Sequence, residues 1–381
     1  MKWFGRKAAR ASVRPFLLRG FGAGAGEWPR SYEAQVREAY LQNPVAQRAV
    51  RLVAEGCGGA VIYSSGVDTP PPRGARSPSP AGGGLEWLVP AALIETVAAQ
   101  LLLHGNAFVQ ILCDAEGEPA ELFPLRPERV KVEADAGGWP ATYLYKAGET
   151  RTRIAARDGL GRPGLIHLKA MHPLDDHYGL GCLGAAAGAV AIHNEATRWN
   201  KALLDNAARP SGALLYDASD GAVMSGEQFD RVRAELETYF QGSANAGRPM
   251  LLEGGMKWQA MSMTPADMNF VELKAAAARE IALAFGVPPM LLGLPGDSTY
   301  ANYREANRAL WRLTILPMMA RILGGLSAGL GAWWPGLKLE VDVDRVSALA
   351  EEREKLWRQV SGADFLSADE KREMLGFERR Q

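Results

Sequence analysis

The chain reads as an α+β protein on three observations. Strand-type sequence is gathered into one block between residue 106 and about residue 170 instead of alternating with helices, and two long helical patterns bracket a small αβ insertion. In addition, 47% of the 381 residues are hydrophobic, enough for a packed core in two or three substructures.

Composition excludes several classes of function. The 43 Lys and Arg residues balance 43 Asp and Glu residues, so no whole-molecule positive field condenses the chain onto nucleic acid, and any DNA contact should be local and weak. Cys57, Cys113 and Cys182 are odd in number and far apart, which indicates neither a disulfide framework nor a zinc finger and fits a reducing compartment. The longest uncharged stretch near the end, ILGGLSAGLGAWWPGL (322–337), contains five Gly and a Pro and is shorter than the roughly 18–20 apolar residues of a membrane span. No membrane contact is expected.

Residues 1–29 form a basic segment. Its first 26 residues carry six Lys or Arg and no acid, and the apolar run PFLL is too short for a secretory signal, so a flexible arm is the reading, with a cleaved presequence as the alternative. Residues 30–63 read as a helix followed by a short strand ending AVIY. The stretch DTPPPRGARSPSPAGGG (68–84) is rich in Pro and Gly and reads as an exposed loop, the alternative being a polyproline segment that binds a partner.

LVPAALIETVAAQLLLHGN (88–106) has helical spacing at Leu93, Val97, Leu101 and His104, and Gly105-Asn106 stops it. Then AFVQILC, ELFPL, RVKVE and TYLYKA, separated by DAEGEP and ADAGGWP, read as antiparallel hairpins. A helix of about 25 residues, near 37 Å long at 1.5 Å per residue, follows over 184–208, with Ile192, Ala196, Trp199 and Leu203 as its apolar face. Arg209-Pro210 breaks it.

The insertion 211–263 holds a strand GALLY, a helix opened by the capping box Ser225/Gln228 and running to Phe240, and a hairpin MLLEGGMKWQAM turning at Gly254-Gly255. Thr264-Pro265-Ala266-Asp267 opens the second long helix, which ends at Gly286. Because the two long helices bracket the insertion, they can lie side by side as a stalk carrying a knob. An apolar, glycine-containing loop, MLLGLPG, leads into another helix from about Thr299, where Pro317 should force a kink. KLEVDV (338–343) alternates as a strand, and two C-terminal helices follow, the second opened by the capping box Ser367/Glu370.

Patterns that carry chemistry are weak. Gly179-Leu-Gly181-Cys-Leu-Gly184 matches GxGxxG, but no strand delivers the chain into the first Gly and continuous helix follows, so a glycine-permitted helix entry is preferred over a nucleotide site. His167, His172 and His177, with Asp175 and Asp176, are spaced by five, which suits neither one helix face nor one strand face of a metal site. No Gly-Lys dipeptide exists, so a Walker A phosphate loop is absent, and there is no HExxH. Arg304, Arg308 and Arg312 form a basic stripe opposite Trp311, Ile315 and Met318/Met319. In one subunit this is a solvated or ion-paired face, and in a ring it would repeat as a charged belt.

Taken together, HGNAFVQILCDAEGEPAELFPLRPERVKV, GLGCLGAAAGAVAIHNEATRWNKALLDNAARPSGALL and AFGVPPMLLGLPGDSTYANYREANRALWRLTILPMM resemble the portal proteins of tailed bacteriophages, of the long-tailed-phage type found also in prophages and gene transfer agents. The resemblance implies a portal-like α+β subunit: arm 1–29, α/β wing 30–178, first stem helix 179–210, αβ clip 211–263, second stem helix 264–286, tunnel loop 287–298, kinked helix and return strand 299–343, and helical C-terminal crown 344–381. It also implies a ring, usually of twelve, at one capsid vertex of a virion or phage-like particle assembled in the bacterial cytoplasm. Double-stranded DNA would pass through without sequence specificity during packaging and ejection, and terminase large subunit, head–tail adaptor protein and major capsid protein would dock outside.

No catalysis, cofactor or metal is implied. The resemblance places Met290, Leu291, Leu292, Gly293, Leu294, Pro295, Gly296 and Asp297 toward DNA, and makes Arg304, Arg308, Arg312 and Lys274 candidates for channel charge. The Pro-rich stretch 68–84 and the short crown depart from the family pattern. A nucleotide-binding enzyme using the glycines at 179–184, or a DNA-binding protein that forms no ring, are the competing readings.

Overall fold

The structure, a computed structural model, describes residue 29 and residues 31–66, 85–205, 212–216, 225–240, 256–260, 270–294 and 300–375. The basic arm over 1–28, the Pro-rich stretch 68–84, the Gly254-Gly255 turn and the Thr264 capping box lie outside these residues.

The chain opens with α1 (Tyr32–Val36), a π-helical turn over Arg37–Leu41, and α2 (Pro44–Gly58). The single helix expected here is divided because Asn43-Pro44 is a helix start: Pro44 lacks the N–H that a first helical residue does not need. The Asn43 Oδ1 accepts from the Val45 and Ala46 N–H groups at 3.1 and 3.0 Å. Its amide nitrogen donates to His193 Nδ1 and Asn194 Oδ1, at 3.2 and 2.9 Å, so this cap also pins a distant helix. β1 (Ile62–Ser65) follows, shifted two residues beyond the expected strand.

α3 (Ala91–His104) buries Leu93, Val97 and Leu101 as their spacing predicts, and Gly105 ends it at φ 81°, a left-handed value that favours glycine. Next come β2 (Asn106–Cys113), β3 (Pro119–Leu125), β4 (Val130–Ala134), β5 (Pro140–Ala147), β6 (Thr150–Ala155) and β7 (Leu165–Lys169). They form two antiparallel sheets, ordered β3-β2-β7 and β4-β5-β6. β2 is buried on both faces, which is why AFVQIL is nearly continuous in apolar residues. Ala107, Val109 and Ile111 join the main core, whereas Phe108 joins a second core with Leu125, Val130, Tyr143, Ile154 and Leu165.

α4 (Leu183–Asp205) and α6 (Phe270–Ala284) lie side by side, and Trp199, late in α4, stacks on Phe270, the first residue of α6, at 4.3 Å and 6°. One expectation is corrected here. Of the expected apolar face, Ala196 is buried and Trp199 stacks on Phe270, but Ile192 is 43% exposed, and the buried face of α4 runs through Leu183, Ala186, Val190, His193, Asn194 and Ala196. A hydrophobic reading misses part of that face because His193 and Asn194 are polar; both are paired with Asn43, and Asn194 also with Glu38.

Between these helices, β8 (Gly212–Tyr216) pairs antiparallel with β9 (Met256–Ala260). α5 (Gly226–Phe240) carries the expected reciprocal capping box: the Ser225 N–H donates to Gln228 Oε1 at 3.0 Å and the Gln228 N–H to Ser225 Oγ at 3.3 Å.

α7 (Tyr300–Leu310), a π-helical turn over Trp311–Ile315, and α8 (Leu316–Leu330) run on without interruption. Where Pro317 should force a kink, the ladder widens: the Leu316 N–H donates to the Trp311 carbonyl, five residues back, and Pro317 falls in the first turn of α8, where a missing N–H costs little. The helix Ala301–Leu330 is long and apolar enough to cross a membrane by length and composition. Its apolar side nonetheless belongs to the protein core, since Met319, Ile322, Leu323, Leu326 and Leu330 are at most 1% exposed. β10 (Lys338–Val341) pairs with β1, and α9 (Ala350–Ser361) and α10 (Ala368–Met374) follow, α10 with its complete Ser367/Glu370 capping box.

Asn106, fully buried, joins these layers. The Gly179 N–H donates to its Oδ1 at 2.7 Å, and its Nδ2 donates to the Gly179 carbonyl at 3.1 Å and to His104 Nδ1 at 3.1 Å. His167 Nε2 lies 3.0 Å from the same Oδ1; because that oxygen only accepts, His167 carries its proton on Nε2. Asn106→Ala would strand the Gly179 N–H and carbonyl in the interior. We predict a loss of about 2–4 kcal/mol, measured as a lower urea midpoint with an unchanged slope.

Candidate functional site

The apolar loop after α6 is built on a firm root. Phe285 and Val287 are 2% exposed, and between them Gly286 takes φ 66°. The Thr314 hydroxyl donates to the Gly286 carbonyl at 2.6 Å, and a Cβ on Gly286 would meet that hydroxyl at 2.9 Å, so both backbone conformation and space select glycine. No sequence signal announced Thr314.

The chain then makes a single 3-10 turn over Pro289–Leu292, closed by Gly293 at φ 71° with open space around it. Leu291 and Leu292 are half-buried and rest against the main core, Met290 and Leu294 are also half-buried, and Gly293 is exposed. Pro295, Gly296 and Asp297 lie outside the described residues. The apolar character of MLL therefore has a source within one subunit: it seats the root of the loop.

The arginine stripe on α7 and the following π turn is ion-paired. Arg304 meets Glu351 at 2.6 Å, Arg312 meets Glu352 at 3.4 Å, and between them Arg308 meets Glu305, Glu351 and Glu352 at 2.8, 3.2 and 3.5 Å. Glu351 and Glu352 stand in the first turn of α9, where carboxylates also favour the positive end of the helix dipole. The adjacent acids were legible in the sequence, but their pairing across 40 to 47 residues was not. Lys274 is half-buried on α6, near enough to His193 to help burial hold that imidazole below its ordinary pKa.

The chemistry-like motifs dissolve into packing. Gly179 and Gly181 cross directly over Gly105, where a Cβ on Gly179 would meet the Gly105 carbonyl oxygen at 2.1 Å and one on Gly181 the Leu103 oxygen at 2.4 Å. Backbone fills the space that a phosphate would need. A Gly-x-Ser-x-Gly pattern also occurs, at Gly325-Leu-Ser327-Ala-Gly329, but it lies inside α8 and not on a strand-to-helix elbow. Its Ser327 hydroxyl accepts from the Leu339 N–H at 2.9 Å, and its glycines admit β7: a Cβ at Gly325 or Gly329 would meet Leu168 Cδ2 at 2.0 Å or Ile166 Cδ1 at 2.5 Å.

The three histidines separate. His167 stacks on Phe108 at 4.2 Å, His172 Nδ1 accepts from the Leu174 N–H, and His177 donates its backbone N–H to Asp175; among the described residues no group of His, Cys, Asp or Glu gathers to hold a metal.

In Glu351→Gln/Glu352→Gln, hydrogen exchange over 350–361 should quicken while global stability falls by no more than about 1–2 kcal/mol, because mostly exposed pairs contribute little; unchanged exchange would refute the docking role. Burial lowers the His167 pKa from 6.5 to about 4, with Lys169 adding to the effect. Between these values the unfolded chain binds more protons, so the stabilisation is complete above about pH 6.5 and is lost as pH falls toward about 4. His167→Gln keeps a donor for Asn106 but does not titrate, so its urea midpoint should change less than wild type between about pH 7 and pH 4.5.

Comparison with known proteins agrees with this architecture. An uncharacterized protein of Rickettsia felis is 39% identical over 352 residues, which cover 89% of this chain and 88% of the relative. A chain in the neck of the native gene transfer agent particle, solved with C12 symmetry, is 45% identical with a TM-score of 0.67, covering 92% of this chain and 95% of that one. An HK97-family phage portal protein from Corynebacterium diphtheriae, 17% identical, shares the fold at a TM-score of 0.58 over 83% of this chain and 96% of its own. Residues 44–376 match the family described as phage portal protein, and the chain belongs to that family.

Proposed function

We propose that this protein is the portal subunit of a gene transfer agent or phage-like particle, closing into a twelve-membered ring in the particle neck through which double-stranded DNA enters and leaves. The observation that carries this reading is the 45% identity, over nearly the whole of both chains, to a neck chain solved with C12 symmetry. Its role is structural, with no catalytic residue assigned.

In this reading residues 30–178 are the wing, α4 and α6 are the stem, and β8, α5 and β9 form the clip that docks the terminase large subunit and later the head–tail adaptor protein. Residues 287–298 are the tunnel loop, α7 and α8 the helix behind it, α9 and α10 the crown, and the major capsid protein surrounds the ring. Because Leu291 and Leu292 seat the root of the loop, contact with DNA falls to the segment from Gly293 onward.

The charge arrangement favours passage over grip. Each phosphate neutralised by a cation adds salt-sensitive affinity, and a strongly cationic lining would hold DNA. Here Arg304, Arg308 and Arg312 are balanced by Glu305, Glu351 and Glu352, so the stripe braces the crown helix and adds little net charge to a channel.

Mass photometry of the purified chain should give a particle near twelve times 41.1 kDa, and a population of only monomers and dimers across varied conditions would refute the ring. Deleting residues 294–297 should leave the number of subunits in the ring unchanged while lowering the yield of DNA-filled particles several-fold. Full packaging by the deletion variant would remove the tunnel-loop assignment.

A further inference from the structure

The outer face of the β4-β5-β6 sheet carries a cluster of cations that the channel reading does not use. Side chains alternate across a strand, so Val130, Tyr143 and Ile154 point into the second core, and Lys131, Leu144, Lys146, Arg151 and Arg153 point out. Lys131, Leu144 and Arg153 form one cross-strand row, and Lys146 stands directly opposite Arg151. With strands about 4.8 Å apart and alternate residues about 7 Å apart, the patch measures roughly 10 by 7 Å. The four cations are exposed, and no helix or strand among the described residues packs over them.

Two features set this face apart from an ordinary solvated surface. Of its four cations only Arg153 has a carboxylate, Glu133 at 3.5 Å; Lys131, Lys146 and Arg151 have no ion pair among the described residues, although Glu149 sits in the turn joining β5 to β6. In addition, like charges directly opposite across a sheet destabilise it, so the Lys146/Arg151 pair costs the isolated subunit stability that an anion would restore.

We propose that this sheet face binds the phosphate backbone of double-stranded DNA on the outer surface of the subunit, separately from any channel. A polyanion fits better than an acidic protein surface because the face lacks the buried aromatic or aliphatic anchor on which protein interfaces depend; its one large apolar member, Leu144, is half-buried between Lys131 and Arg153, and Ala155 is small. The contact reads no sequence, since strands laid on phosphates reach no base edge. It does not depend on ring formation.

The test is fluorescence anisotropy of a labelled 30-base-pair duplex with the full chain, titrated at several NaCl concentrations from 50 to 200 mM. Neutralising three phosphate contacts in Lys131→Gln/Lys146→Gln/Arg151→Gln should weaken binding about tenfold or more at the lowest salt and make the slope of log affinity against log salt shallower by about 2.7. Affinity and slope equal to wild type would overturn the proposal. So would a labelled polyglutamate peptide that binds as tightly as the duplex and is weakened equally by the variant.

Should the triple variant fail to fold, Arg151→Gln alone carries the same reading with a slope change of about 0.9. Lys146→Gln should keep or raise the thermal midpoint at low salt, whereas a merely structural lysine would lower it. Mass photometry of the same samples separates the two ideas. Monomers that bind duplex through these residues would refute the ring alone, and rings whose duplex affinity the variant leaves intact would refute the sheet contact alone.

Discussion

The structure depends on one buried amide. Asn106 sits where α3 turns into β2, and its side chain bonds both backbone groups of Gly179, the ring of His104 and the ring of His167. It therefore joins the end of a helix, the start of the central strand, the neighbouring strand and the loop that enters α4. Such a network is stabilising only when every member is satisfied, because in a low dielectric an unpaired donor costs about as much as several good contacts contribute. Glycines at 105, 179 and 181 follow from it: the entry loop must pass within van der Waals distance of the corner that Asn106 holds, and a side chain at any of the three would collide with backbone.

The long helix Ala301–Leu330 plays the corresponding part on the other side of the core. Its glycines let β7 press onto it, its π turn accommodates Pro317, and its arginines hold the first turn of α9. One continuous element thus links the loop after α6 to the C-terminal helices. The loop's root is fixed by Phe285, Val287 and the Thr314–Gly286 hydrogen bond. In the proposed ring, where this loop would line the channel, its apolar anchoring and the neutralised arginines behind it would suit passage without capture.

Charge is distributed by location, which a zero net charge conceals. The stripe on α7 is neutralised within the subunit, whereas three cations on the β4-β5-β6 face are not. A sum over the chain weighs these groups equally, although only the second set has an unspent field directed at solvent. The distinction arises entirely from which carboxylates the fold brings near.

Much of the architecture was legible from local patterns. The Ser225/Gln228 and Ser367/Glu370 capping boxes, the Gly105 stop, the antiparallel block and the paired long helices all depend on contacts within a few residues or on simple periodicity, so composition and spacing determine them. Tertiary structure alone decided the rest. It turned the α4 face toward His193 and Asn194 instead of Ile192, packed backbone against Gly179 and Gly181 of the GxGxxG, paired the arginine stripe with α9, and left Lys146 and Arg151 side by side in the open. These outcomes share a physical reason. Desolvation and charge pairing are set by neighbours far away along the chain, 151 residues for Asn43 and Asn194 and 160 for Glu38 and Arg198, and no local pattern encodes which neighbour arrives.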